Sequence, residues 1–408
     1  MNRPGRHFGP VAAALLALLA GAAPATEFAL VPEFRQTLLA NDNIRLAPDF
    51  VDNPGSYGAI ADFRLAAIAA GELYSVEIKP RAEIQRYQGD STRNRDNYFI
   101  DSTVTRVFQR SVFSLAMAAS DVSTQTSELT DSGRFFSNSS RISWSIAPQW
   151  NYSATDKLTL GVNALYNDVD FENSGVSVFV DYLYTSFGGS ATYAFSDRTS
   201  FIGSLSYSIF RTPETFGRTE TKTWSFGLAH DFSDTANVSV SMGHQHSDIE
   251  FVGQQIGFDP SVGFILITAP DESSDGGSIV TVEGEKRFDR VRLAMDFRRS
   301  VQPSSEGVQS QTTVVRGRAR YRWTRNLLLS GDFTYQERSS LNDLNLRLNQ
   351  DLYVLKAGVS KTLNKRWRLE TAYEHRRITR GNDIDSDYNR INLTLIYNGK
   401  PPSFPVIQ

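Results

Sequence analysis

The 408-residue chain has no cysteine, so it carries no disulfide, although an oxidising compartment would permit one, and no thiol-linked lipid anchor. It has no apolar run long enough for a helix to cross a bilayer, which takes about 20 residues; the longest, Val11 to Leu19, falls short of that. Basic charge is not in excess. A formal net charge of -3 argues against a general nucleic-acid binder, whose footprint is a strongly basic patch or stripe. Catalytic signatures are missing too: there is no Gly-rich phosphate loop, zincin motif or EF-hand spacing, and no nucleophile signature for a Ser-His-acid triad. These absences predict a chain that is not an enzyme, with no catalytic residues, no cofactor and no metal site.

What is present begins with a leader. Arg3, Arg6 and His7 precede the run Val11 to Leu19, and Ala23-Pro24-Ala25 supplies a small-residue cleavage site, the pattern of a secretory signal peptide over residues 1–25. From about Phe28 onward, apolar and polar residues alternate with period two over segments of roughly 11 to 15 residues, as in strands whose faces meet different solvents. In Ile142 to Tyr152 one face is Ile, Trp, Ile, Pro, Trp, Tyr and the other Ser, Ser, Ala, Gln, Asn. Soluble sandwiches also alternate, but their strands average about 5 to 6 residues, whereas crossing hydrocarbon at a tilt needs about 9 to 11.

Connection lengths alternate as well. Short turns fall near Ala70-Gly71-Glu72, Ser153 to Asp156, Ser196-Asp197-Arg198, Ser233-Asp234-Thr235, Thr324-Arg325-Asn326 and Asn364-Lys365. Longer polar stretches lie between them, among them Glu128 to Asn138, Thr212 to Thr219, Gln302 to Ser310, Ser339 to Leu348 and Arg380 to Ser386. Short periplasmic turns alternating with long extracellular loops are the habit of outer-membrane barrels. The expected fold is therefore all-β: a transmembrane antiparallel up-and-down β-barrel over residues 26–397. About eighteen strands are expected, sixteen being the alternative count, with residues 398–408 as a periplasmic C-terminal tail. The first strand, Phe28 to Leu39, makes the count even; the last is Asp387 to Tyr397. Aromatics at segment ends predict two interfacial girdles: Tyr74, Trp150, Phe195, Phe232, Phe288, Trp323 and Trp367 near short turns, and Tyr57, Tyr87, Tyr98, Tyr182 and Tyr335 near long loops.

Two stretches, Asp42-Asn43-Ile44-Arg45-Leu46-Ala47-Pro48 after the first strand and Thr126-Ser127-Glu128-Leu129-Thr130-Asp131-Ser132-Gly133 at the start of a long loop, resemble the β-barrel porin 2 type of outer-membrane protein. That type is associated with exosortase and exopolysaccharide systems. An aromatic common just before the Asp-Asn pair is replaced here by Ala40 and Asn41. The resemblance implies a porin-like barrel serving surface polysaccharide export, with export components as partners, and supplies no catalytic residue.

The chemistry-bearing pattern is basic. Arg316, Arg318, Arg320 and Arg322 occupy alternate positions of one segment, opposite Val315, Ala319, Tyr321 and Trp323. Arg292 and Arg298 share the polar face of the segment before, and Arg368 and Arg376 follow later. These eight are the candidate pore-lining residues. They would focus the potential of a narrow pore and favour anions, or else pair with Glu283, Glu285, Asp296, Asp332, Glu370 and Glu374 to brace the wall. His244 and His246, two apart with Asp248 beyond, are too few to make a metal site. Val252 to Gly277, with its apolar centre Phe264 to Ile267, would fold inward as a constriction, fold outward to a partner, or pair as a hairpin extending the strands.

The sequence thus predicts a porin-like channel of the cell outer membrane for hydrophilic, anionic solutes. An exit conduit or docking barrel for exopolysaccharide and a non-conducting structural or adhesive barrel are the alternatives. Its expected partners are outer-membrane lipid, lipopolysaccharide and the barrel-assembly machinery, with no nucleic acid; a homo-oligomer is compatible with the pattern.

Overall fold

The computed structural model describes residues 27–43, 55–88, 94–124, 127, 139–172, 179–213, 217–259, 263–303, 309–340, 349–380 and 384–400, with backbone alone over 251–272 and at 275, 302, 303, 309, 340 and 384. Eighteen antiparallel strands follow one another in chain order and close on themselves, since β1 (Glu27–Asn41) pairs with both β2 (Ser56–Ala70) and β18 (Ile384–Asn398). The intervening strands are β3 (Tyr74–Tyr87), β4 (Arg95–Val107), β5 (Ser111–Ser123), β6 (Ser140–Ser153), β7 (Leu158–Phe171), β8 (Tyr182–Ser196), β9 (Thr199–Thr212) and β10 (Gly217–Ser233). They continue as β11 (Ala236–Asp259), β12 (Gly263–Arg287), β13 (Val291–Pro303), β14 (Gln309–Arg322), β15 (Leu327–Ser340), β16 (Gln350–Thr362) and β17 (Trp367–Arg380). No helix of the described residues is long and apolar enough to cross a membrane.

Alternation decides which way each side chain faces, because a strand's period is two. The outer face carries the large apolar residues, among them Phe28, Leu205, Phe226 and Met242, each more than 60% exposed. Rings on adjacent strands meet there: Phe34 and Phe63 lie 4.9 Å apart, and Tyr335 and Tyr353 4.8 Å. Such an outside suits hydrocarbon and not water. The turns follow their own chemistry. Thr155 Oγ1 accepts from the amides of Lys157 and Leu158 at 3.2 and 3.0 Å, and Asn364 Oδ1 accepts from those of Arg366 and Trp367 at 2.9 and 3.0 Å. A side-chain oxygen thereby replaces a ladder partner while the chain reverses.

The girdle expected at the short-turn end includes exposed Trp150, Phe195, Phe232, Phe288 and Trp323. At the other end, Tyr57 and Tyr98 face outward at 68% and 50% exposure, whereas Tyr87 and Tyr182 fall on the inner parity. The hydroxyl of Tyr87 donates to Gln85 Oε1, and Tyr182 is buried among Phe171, Phe179 and Phe210. Several expected loops are shorter than the polar stretches suggested, because polar residues at the ends of β9, β10, β13, β14, β17 and β18 still pair in register. The largest difference concerns Val252 to Gly277. β11 and β12 are 24 and 25 residues long against 13 to 17 for the others, and they stay paired out to Asp259 opposite Gly263. The backbone is therefore a two-stranded ribbon standing beyond its neighbours, the third of the three arrangements expected.

The seam between the first and last strands is fastened at both ends. At the short-turn end the amide of Gly399 donates to the Pro32 carbonyl at 2.7 Å, and a Cβ on Gly399 would lie 2.6 Å from the Pro32 ring, so the approach requires glycine. At the long-loop end Asp42 accepts from both the amide and the side-chain Nδ2 of Asn389 at 2.7 Å, while Asn43 Nδ2 donates to the Asp387 carbonyl at 2.8 Å. Asp42 and Asn43 begin one of the two stretches that carried the family resemblance; residues 44–48, most of the other stretch, the leader and residues 401–408 lie outside the described residues. Two hydrogen bonds to an exposed carboxylate contribute about 1 to 2 kcal/mol after discounting for solvent. Asp42→Ala should lower urea-unfolding stability of the detergent-solubilised protein by that amount, and Asp42→Asn by less, as read by tryptophan fluorescence; equal stability in all three would show that the seam does not use this contact.

Candidate functional site

The outer face carries charge mainly toward the long-loop end, as in Arg86 with Asp96, Lys222 with Asp248 and Arg377 with Asp385, whereas the inner parity carries it along the strands, unevenly around the cylinder. The strands β12 to β18 and β1 to β4 carry it. One inner row crosses seven of these strands in direct register: Glu285, Ala294, Arg318, Asp332, Lys356, Glu374 and Arg390. After the neutral Ala294 its sign alternates at every strand, so that Asp332, Lys356 and Glu374 each have an opposite charge on both sides.

All eight candidate arginines lie on this inner parity, opposite the outward Leu293, Met295, Tyr321 and Trp323. Five are paired. Arg292 meets Glu285 at 2.7 Å, Arg298 meets Glu283 at 3.5 Å, and Arg320 meets Asp332 at 2.9 Å. Arg368 meets Glu370 at 2.8 Å, and Arg376 meets the buried Glu374 at 2.9 Å with its guanidinium 5.4 Å from the centre of the Tyr388 ring. For these the bracing role is evident in the geometry. Arg316, Arg318 and Arg322 differ: among the described residues none of them forms an ion pair, and each is exposed to the interior. Asp332, the register partner of Arg318, is taken diagonally by Arg320.

A second network, near the seam, was not singled out from the sequence. Asp62 binds Arg64 at 2.6 Å and Arg81 at 2.9 Å, Arg64 reaches Glu33 at 3.6 Å, and Arg81 continues to Glu83. Gln85 and Asn97 also donate to Glu83, at 2.6 and 3.0 Å. Its signal was the alternation Asp62/Arg64 and Lys79/Arg81/Glu83 on consecutive strands, which mixed signs disguise where four arginines in a row do not.

The inner face of β5 to β11 is dominated instead by small and neutral polar residues such as Ser145, Gln149, Asn163, Ser190, Thr223 and Ser241. Hydroxyls pair across strands, Ser204 with Ser225 at 2.6 Å and Thr221 with Ser247 at 2.9 Å. At the long-loop end of this sector an inward cluster joins Val169, Phe171, Phe179, Tyr182 and Phe210, with Phe171 and Phe179 stacked at 5.2 Å. His244 and His246 lie on the outer parity of β11; His246 Nε2 is 3.0 Å from Asp248 Oδ1 and His244 packs 6.4 Å from Trp224. No group of three or more His, Cys, Asp or Glu among the described residues could hold a metal ion.

No protein-family model matches the chain, and no curated protein does. Among solved structures, the chain is similar to the copper transporter OprC at 12% identity and a TM-score of 0.47, covering 87% of this chain and 62% of that one. It thus spans less than two thirds of that transporter's length. It is also similar to Pseudomonas aeruginosa OpdL at 11% identity and a TM-score of 0.46, covering 93% of this chain and 99% of that one. Acinetobacter baumannii OccAB2 shares 12% identity at a TM-score of 0.47, with 92% and 98% covered.

The aromatic cluster is held from the β7–β8 loop by Asp181, which accepts the Phe171 amide at 2.6 Å. Burial pushes its carboxyl above the usual carboxylate range, with the Phe171 hydrogen bond opposing and Asp168 adding to the rise. A raised folded-state pKa means that stability is lost as pH rises and the group ionises. Asp181→Asn, which keeps an acceptor and removes the charge, should raise the thermal midpoint at pH 8 and leave it unchanged at pH 3; an equal shift at both would show that the charge is not the cause.

Proposed function

We propose that the protein is an outer-membrane channel for small hydrophilic solutes that favours anions. In this orientation the short turns and both chain ends face the periplasm and the β11–β12 ribbon stands on the cell surface. An eighteen-stranded cylinder is wide enough to leave an aqueous path unless loops or side chains fill it. The observation that carries the anion preference is the column Arg316, Arg318 and Arg322, three guanidinium groups exposed to the interior and unpaired among the described residues.

Passage is diffusive. A unit anion about 4 Å from one guanidinium gains about 1 kcal/mol at the dielectric of bulk water and more against a low-dielectric wall. Successive arginines about two residues apart along β14 hand the solute on, while the paired Arg292, Arg298, Arg368 and Arg376 keep the wall rigid. Salt weakens the preference, because the Debye length is only about 8 Å at physiological ionic strength.

A second reading, an exit conduit for exopolysaccharide with inner-membrane export components as partners, is supported by the β5–β11 sector. Its hydroxyls and amides, such as Asn163, Ser190, Thr223 and Ser241, suit the hydroxyl-rich edges of sugars.

Planar-bilayer recordings in a salt gradient test the first reading. The wild type should give a steady, anion-selective current, and the variant Arg316→Gln/Arg318→Gln/Arg322→Gln should lose selectivity or turn cation-selective, since Glu283 and Asp296 remain. Absence of current from a folded barrel, or an unchanged reversal potential in the variant, would overturn it. Block of the current by neutral oligosaccharides from the periplasmic side would favour the conduit.

A further inference from the structure

The column of arginines is not a uniform wall: it is broken beside Ala294. In the inner row that crosses β12 to β18, Ala294 is the one member without a charge or polar group, and it sits directly between Glu285 and Arg318. The missing side chain leaves a notch of about 150 Å³ lined by Glu285, Arg292, Ala294, Arg318 and Arg320. With water occupying roughly 30 Å³ in the liquid, that is room for one small ion and a few waters.

The charges around the notch do not cancel. Three guanidinium groups face one carboxylate, and that carboxylate is already shared, since Glu285 binds Arg287 as well as Arg292. Arg292 and Arg320 stand directly opposite each other on adjacent strands, a like-charge pair that destabilises a sheet unless something lies between. Arg320 is held from its far side by Asp332 at 2.9 Å, and Arg318 has no acidic partner among the described residues. The site is therefore oriented by flanking acids and left with unspent donors at its centre.

We infer that this notch is a discrete binding site for one small oxyanion, the carboxylate of a short organic acid or inorganic phosphate, whose chemistry a guanidinium fork matches with two parallel hydrogen bonds. The inference rests on the anion-channel reading and adds a station to it: solute entering from the cell surface passes Arg316 first and then lodges between Arg318, Arg320 and Arg292 before release. Arg318 supplies the free fork, Arg292 and Arg320 spare donors, and Ala294 the space.

Two readouts test it, inorganic phosphate and acetate being the probes. In potassium chloride recordings, millimolar phosphate or acetate should interrupt the wild-type current at a frequency that rises with concentration until the site saturates. Ala294→Leu, which fills the notch and leaves every charge, should reduce that block at least tenfold, and Arg318→Gln should do the same. The wild-type reversal potential in chloride, read in the same recording, reports the channel reading by itself. Independently of conduction, phosphate should raise the thermal midpoint of the detergent-solubilised wild type and not that of Ala294→Leu, whose fold is checked by circular dichroism. Block by phosphate but not acetate would assign the site to phosphate, and the reverse to carboxylates. Equal block and equal thermal shift in wild type and Ala294→Leu, or neither effect in the wild type, would overturn the inference even if the channel proved anion-selective.

Discussion

Backbone amides and carbonyls in hydrocarbon have no water to bond, so each must find a partner within the chain, and a sheet can satisfy that only by having no edge. Here the condition is met by one junction, β1 against β18, which joins residues more than 340 positions apart. Everything else in the wall is a local hairpin. The ladder in turn fixes the parity of every strand, and parity fixes the chemistry of both surfaces. A shift of β1 by one residue against β18 would turn Leu38 inward and Arg35 outward while Leu393 and Thr394 kept their faces. The fastening of this junction at Pro32 and Asp42 therefore bears on the interior as much as on the outline.

Lining the inner face with polar and charged groups creates a second problem, which the wall solves sector by sector. From β12 round to β4 the inner residues are ionised, and most are tied to a neighbour of opposite sign, as Asp62, Glu285 and Glu374 each are. Exposed pairs of this kind contribute little stability individually; their effect is to hold long side chains against the wall and out of the lumen. From β5 to β11 the same end is reached with short hydroxyl and amide side chains. The two sectors leave the cylinder with one electrically structured inner side and one largely neutral inner side.

Strand existence, order and facing were legible from alternation alone, because a period of two sustained over about a dozen residues is the geometry of a strand with unlike solvents on its two faces. Of the strands, the first was the least legible, with Leu30, Pro32, Phe34 and Leu38 sharing a face, and its pairing with both β2 and β18 makes the count even. Ends of strands were less legible: Asp385, Arg380 and Gln311 are as polar as loop residues, yet they pair, since above the hydrocarbon nothing requires an apolar face. The same freedom let Val252 to Gly277 read as a loop when its backbone continues the ladder. Arg316 to Arg322 announced themselves by repetition of one sign. The notch beside Ala294 did not, because it depends on which acid each arginine chooses, and the diagonal preference of Asp332 for Arg320 over Arg318 is a matter of rotamer and register that no linear pattern carries.

The late meeting of β1 and β18 sets the order in which this wall can be made. Hairpins from β1 to β17 can form as soon as their residues are available, but the loop closed by the final junction is almost the whole chain, the slowest kind of contact to find. Until it forms, the growing sheet has two open edges, at β1 and at whichever strand is last, and both are templates for pairing with another chain. The short-lived open sheet, and not the finished cylinder, is therefore the state of this molecule most exposed to misassociation, and the contacts of Asp42 and Gly399 act on how rarely the closed form returns to it.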